Sequence, residues 1–266
     1  MLIDAKQQYE TQGFCVLPQR LSDDMLAKVR ESISEISQMN RPEVVYEKDG
    51  KTVRALHGCH RFDDVCADLV RLPLFVDLAE AVLGDPAYVY QFKVNIKNSY
   101  DGEKWPWHQD FAFWSIEDGM PADRAMNIAI NLDDVFDWNG PLQVLAGSHL
   151  LGLIPSPSHD ESTGRDWRDH VSADLTYTVG DQEVEELSQR HALHKLTGPA
   201  GTISAFHPNI VHSSARNTSS DRRTILYITY NAVTNSPRHV HRPDFLVDPS
   251  VTAVRRLAQP RALTPA

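Results

Sequence analysis

The chain has 266 residues, 41% of them hydrophobic and 23% charged, with a formal net charge of −10. That suits one folded domain with a full core, and the acidic balance argues against the basic stripe of a nucleic-acid surface. No apolar run approaches the roughly 18 residues that span a bilayer, and the opening MLIDAKQQYETQ lacks the apolar stretch of a secretory signal. The expected compartment is therefore the cytoplasm, and the expected partner a small molecule rather than nucleic acid or membrane. Cys15, Cys59 and Cys66 are too few and too scattered for a disulfide framework.

Phe14-Cys15-Val16-Leu17 reads as a short strand. Ser22 is an N-cap with Asp23 and Asp24 in the first turn, and Leu26, Val29, Ile33 and Ile36 recur at helical spacing, which predicts an amphipathic helix over 23–38. A second helix is predicted over about 74–83, ended by Gly84-Asp85-Pro86. Residues 88–96, 126–132 and 225–233 alternate apolar and polar and read as strands. Turn signals separate them at Asp101-Gly102, Asn139-Gly140-Pro141 and Gly198-Pro199-Ala200-Gly201. Many short strands with turns between them predict a mostly β sandwich or barrel, with the early helices against one face. Residues 156–197 are polar and break the pattern, as either a lid or a disordered loop.

Among twelve histidines, His108 stands out, because Asp110 follows it at i+2 within aromatic sequence: Trp105, Trp107, Phe111, Phe113 and Trp114. On a strand, i and i+2 share a face, so an imidazole and a carboxylate there sit side by side. A hydrogen-bonded His–Asp couple would also satisfy this pair; a shared metal needs a third ligand from a neighbouring strand. His212 fits that place, and two His with one carboxylate leave positions open for oxygen chemistry at iron(II). His207 is the rival, but it lies an odd number of residues from His212 and precedes Pro208. His159-Asp160-Glu161 and Asp169-His170 lie in polar sequence with no strand pattern. Arg223 opens a strand eleven residues after His212. A buried guanidinium there needs a carboxylate, although a surface ion pair would serve as well. Arg222 should face the opposite way.

With these residues placed, the sequence resembles the phytanoyl-CoA dioxygenase family of Fe(II)- and 2-oxoglutarate-dependent oxygenases over nearly its whole length. The resemblance starts at Gly13-Phe14-Cys15-Val16-Leu17-Pro18 and takes in His108 and Asp110. It continues through Asn139-Gly140-Pro141-Leu142, Gly147-Ser148-His149, His212 and Arg223. It implies a double-stranded β-helix, the jelly-roll or cupin-like core, buttressed by N-terminal helices. It implies iron at His108, Asp110 and His212, and 2-oxoglutarate held by Arg223 and Ser214 with help from Asn95, with O2 as co-substrate. The stretches Gln91–Lys97 and Trp107–Pro121 look most like bacterial hydroxylases of free leucine, proline or ectoine, while Arg242-Pro243-Asp244-Phe245 departs slightly from an Arg-Pro-Glu-aromatic motif. The expected substrate is thus a small free amino acid or a close derivative. Gln91, Trp114, Phe206 and Arg242 are candidate substrate contacts, and 156–197 is a candidate lid within the single domain 1–266. An acyl-CoA or carrier-bound substrate and a non-catalytic cupin-like binding protein are the alternatives.

Overall fold

The computed structural model describes residues 2–100, 102–155, 175–258 and 262–265. The polar opening stretch folds as α1, Leu2–Gln12, which no amphipathic pattern announces; it buries only Ala5 and Tyr9. Gly13 ends it at φ +78°, where a Cβ would stand 2.5 Å from His149 Nδ1. The chain turns there into β1, Phe14–Leu21. α2, Asp23–Ile36, begins where its cap predicts, with the Ser22 hydroxyl accepting from the Met25 amide and two aspartates in the first turn. The hairpin strands β2, Val44–Tyr46, and β3, Val53–His57, lead to α3, Asp64–Leu69, and α4, Pro73–Leu83.

Then come β4, Ala87–Lys97, β5, Trp105–His108, α5, Asp110–Glu117, β6, Ala125–Asn131, and β7, Leu142–Leu145. α6, Asp181–Arg190, and β8, Leu193–Leu196, follow residues 156–174, which lie outside the described residues together with His159-Asp160-Glu161 and Asp169-His170. β9, Thr202–Phe206, β10, His212–Ser214, β11, Arg223–Ala232, and β12, Leu263–Pro265, complete the order. The far end of the polar 156–197 segment is therefore sheet, since β8 pairs along β7.

Among the described residues the strands form two antiparallel sheets. The larger runs β12-β1-β9-β6-β11-β4-β3-β2 and the smaller β5-β10-β7-β8. Val144, Leu142 and Leu196 of the smaller sheet pack against Phe14, Ala129, Phe206, Ile225 and Tyr227 of the larger, which makes the double-stranded β-helix. Strand alternation divides the labour. Met126, Ile128 and Ile130 of β6 and Leu226, Ile228 and Tyr230 of β11 join the helices in the largest apolar cluster. Fully burying one such side chain contributes about 1.5–3 kcal/mol, so the helix side of the sheet carries much of the stability. The opposite face is left free to be polar, and it is: Asn127, Thr229 and Arg223 lie buried there. β4 adds a bulge. Gln91 pairs with Thr229 but Val89 with Tyr230, so Tyr90 is the extra residue. Val89 and Ala87 return to the helix side, while Tyr88 and Tyr90 join a cluster on the other.

Candidate active site

The triad assembles where the two sheets meet. β5 and β10 pair with His108 opposite His212, which brings the ring centroids to 4.1 Å. Asp110 does not continue the strand, as the sequence suggested; it is the first residue of α5, after a Gln109 that is still extended at φ −121°, ψ 127°. The same-face relation of i and i+2 survives because it needs only that extended middle residue. Gln109, to which the sequence assigned nothing, is buried and pins this corner. Its amide donates to the Gly152 and Asn209 carbonyls, and its oxygen accepts from the Ile154 amide.

His108 Nε2 and His212 Nε2 lie 3.7 and 3.9 Å from Asp110 Oδ1, and one ligand atom from each residue falls within 4.8 Å of the others. Each imidazole is fixed from behind by backbone: His108 Nδ1 donates to the Pro106 carbonyl at 2.7 Å, and His212 Nδ1 to the Ile210 carbonyl at 3.0 Å. That tautomer leaves both Nε2 lone pairs facing the carboxylate. Asp110 Oδ2 accepts from Asn127 Nδ2 at 2.8 Å, and the Asn127 oxygen accepts from the Thr229 hydroxyl at 2.6 Å, which leaves Oδ1 for a cation.

Electrostatics agree with that reading. Burial first, then the neighbouring His212, pushes His108 down to about 3, and burial also lowers His212. Both are neutral donors at neutral pH. Burial pushes the Asp110 carboxyl up, but Lys93, His212, His108 and the Asn127 bond outweigh it and hold Asp110 below the ordinary carboxylate range. Two neutral imidazoles and one carboxylate, each oriented by a second residue, fit iron(II). His207 is not part of this group. Its Nδ1 accepts from the Asn209 amide, and its ring packs beside Tyr9 and His149.

A cavity opens over the triad. Gln91, Asn95, Trp114, Phe206, Ser214 and Arg242, all singled out from sequence, line it. Arg223 is 1% exposed on the same sheet face as Tyr227, which also lines the cavity. Its Nε and Nη2 donate to the Gly140 carbonyl at 2.9 and 2.7 Å, and its Nη1 has no partner. Arg222, one residue earlier, is exposed and paired with Asp133 at 3.1 Å. Lys97, beside Arg223, is buried too, and its ammonium reaches the Ser214 and Ala215 carbonyls. Burial, then Arg223 and Arg54, pushes it down to about 6. Neither Arg223 nor Lys97 has a carboxylate partner among the described residues, and for Arg223, which stays charged, an unpaired buried cation is costly. The donor set fits a dicarboxylate co-substrate with one carboxylate at Arg223.

Arg242 is less free than its sequence suggested. Its Nε donates to Asp118 Oδ1 at 3.0 Å, and its Nη2 bonds Asp118 Oδ2 and the Tyr90 hydroxyl. Asp118 is fully buried. Sequence reasoning missed Lys93, His57 and Tyr227, which also line the cavity. Lys93 lies over the Tyr227 ring at 5.2 Å and makes no ion pair among the described residues. A lysine on an alternating strand reads as a solvent-facing residue; only its phase with Gln91 and Asn95 would have betrayed it.

Comparison with known proteins accords with this geometry. Residues 9–225 match the phytanoyl-CoA dioxygenase (PhyH) family. The chain is 55% identical over 256 residues, 95% of each protein, to an L-proline trans-4-hydroxylase of Streptomyces griseoviridis. It is 30% identical over 237 residues to an ectoine dioxygenase of Nocardia farcinica, covering 86% of this chain and 77% of that one. Among solved structures, EctD from S. alaskensis with 2-oxoglutarate and 5-hydroxyectoine superposes with a TM-score of 0.80 at 27% identity, covering 95% of this chain and 86% of that one. The same protein with bound Fe also gives 0.80, at 26% identity with 95% and 85% coverage. By sequence, fold and metal-ligand geometry together, the chain belongs to the phytanoyl-CoA dioxygenase family of iron(II)- and 2-oxoglutarate-dependent oxygenases.

Proposed function

We propose that the chain hydroxylates an unactivated C–H bond of free L-proline or a closely similar small amino acid. The balance is one substrate C–H, one 2-oxoglutarate and one O2 giving the alcohol, succinate and CO2. The observation that carries the chemistry is the buried triad, with both Nε2 atoms and Asp110 Oδ1 turned to one point. Similarity to an L-proline trans-4-hydroxylase over 95% of the chain supports the substrate. When bound at His108, Asp110 and His212, iron(II) supplies activation of O2 at the expense of 2-oxoglutarate. The protein's own residues do the rest. Arg223 and Ser214, with Asn95, hold 2-oxoglutarate; Lys93, with Gln91 and the Arg242–Asp118 pair, receives the substrate carboxylate; and Trp114 and Phe206 wall its carbon skeleton. This wall exposes cations suited to one small carboxylate, which favours a free acid over an acyl thioester. The lid expected over 156–197 falls in part on 156–174, outside the described residues, and its far end is β8 of the smaller sheet.

The test is aerobic incubation with iron(II), 2-oxoglutarate and L-proline, reading succinate and an amino-acid product that has gained one oxygen. Succinate without such a product, or release only with acyl-CoA substrates, would remove the amino-acid assignment.

Lys97 adds a pH dependence. Pushed down to about 6, it is mostly neutral at pH 7 before an anion arrives, and a nearby carboxylate would favour its charged form. Below about pH 6 the proton is already present. Above it, 2-oxoglutarate binding must restore the proton, and affinity should weaken by up to about tenfold per pH unit until the bound-state pKa is passed. Calorimetry in buffers of different ionisation enthalpy should show uptake of a proton on binding near neutral pH, and Lys97→Met should flatten the slope. A slope unchanged in that variant would place the titrating group elsewhere.

A further inference from the structure

The wall of the cavity is unbalanced in charge. Lys93 faces it as a cation with no ion pair among the described residues, Arg242 faces it with its charge met by the buried Asp118, and among its described lining residues the one carboxylate is Asp110, which is turned to the metal site. An amino acid bound there as a zwitterion has a place for its carboxylate but no anion for its ammonium. The ammonium must therefore be met by a neutral acceptor. Gln91 and Asn95 carry amides that serve a carboxylate as readily as an amine. His57 is different. It lies on β3 directly opposite Lys93 of β4, lines the same cavity, and is 6% exposed with no hydrogen-bond partner for its Nε2. Burial first, then Lys93 and Arg242, pushes it down to about 3, so the ring keeps a lone pair at any ordinary pH. A buried imidazole nitrogen without a partner is a cost that a ligand donor removes.

We propose that His57 accepts a hydrogen bond from the substrate's ammonium group, so that β3 reads the amine while the adjacent cations read the carboxylate. This rests on the amino-acid hydroxylase reading above. It makes the amine nitrogen, and not the acid alone, a requirement for binding.

The probe pair is L-proline and (S)-tetrahydrofuran-2-carboxylate, in which a ring oxygen replaces the N–H donors. Their affinities are measured without O2 on the protein loaded with iron(II) and 2-oxoglutarate, for the unaltered chain, His57→Leu and His57→Gln. The unaltered chain should prefer L-proline by at least about tenfold. His57→Leu should lose L-proline affinity by roughly 10- to 100-fold, the range for a hydrogen bond to a charged group. Its affinity for the oxygen analogue should change less than about threefold, so that the preference collapses. His57→Gln offers an acceptor again and should keep most of the preference. An equal loss of both ligands in His57→Leu, or a His57→Gln variant without preference, would overturn the proposal and make His57 a packing residue. If the unaltered chain neither binds nor oxidises L-proline or a similar small amino acid, the amino-acid reading itself fails, and this inference falls with it. A chain that oxidises L-proline while His57→Leu keeps its preference leaves that reading intact and refutes only the role of His57.

Discussion

With His212→Ala, bound iron and succinate release are expected to fall together to background. The variant leaves one imidazole and one carboxylate, and no other histidine among the described residues joins their cluster to take its place. A graded comparison makes the result specific. Asn127 touches the metal group only through Asp110 Oδ2, so Asn127→Ala should weaken iron binding by about 10- to 100-fold while excess iron restores much of the rate. His212→Ala should not be rescued in this way. Iron content after gel filtration and succinate release at rising iron(II) read both effects. Near-normal turnover by His212→Ala would mean that the metal lies elsewhere.

Arg223→Ala should raise the apparent 2-oxoglutarate constant roughly 30- to 1000-fold. That corresponds to the ~2–4 kcal/mol lost when a buried, charge-assisted contact to a carboxylate is removed. Arg223→Lys should recover only part, because an ammonium cannot present the planar fork. The substitution also strips the Gly140 carbonyl of two donors, so a drop in stability of about 1–3 kcal/mol should accompany it. Arg222→Ala is the matched control. It removes a surface pair with Asp133, worth at most about 1 kcal/mol, and should leave the 2-oxoglutarate constant unchanged. A 2-oxoglutarate titration at saturating substrate, with thermal unfolding of each variant, separates binding from folding. A large binding effect in Arg222→Ala with a small one in Arg223→Ala would contradict the side-chain directions on β11.

These expectations were readable from sequence to the extent that strand period carries them. One face of β6 and β11 packs on helices, so both strands are legible to within two residues at each end, and the eleven-residue offset from His212 separates Arg223 from Arg222. α1 was hidden because a helix that buries only Ala5 and Tyr9 leaves no stripe. Asp110 was placed on a strand because an H-x-D pair cannot reveal that a helix starts at its second member. The Tyr90 bulge was likewise invisible, since a single unpaired residue looks like any other in an alternating run. Lys93 and His57 escaped for a common reason. Each is a polar residue on a strand that lines the cavity, and such a residue is indistinguishable from one facing water until the fold closes over it.

The backbone tethers behind the two histidines bear on how the site can be reshaped. Pro106 and Ile210 hold the rings through carbonyl oxygens, which every amino acid supplies alike, so no exchange of those side chains deletes the contact itself. The carboxylate is supported differently, through the amide of Asn127 and the hydroxyl of Thr229, both within reach of a single codon change. In a library of point variants, the histidine half of the metal site is buffered and the aspartate half is adjustable. Laboratory selection for altered metal affinity or preference, with all three ligands kept, should therefore accumulate its changes at 127 and 229 rather than around the imidazoles.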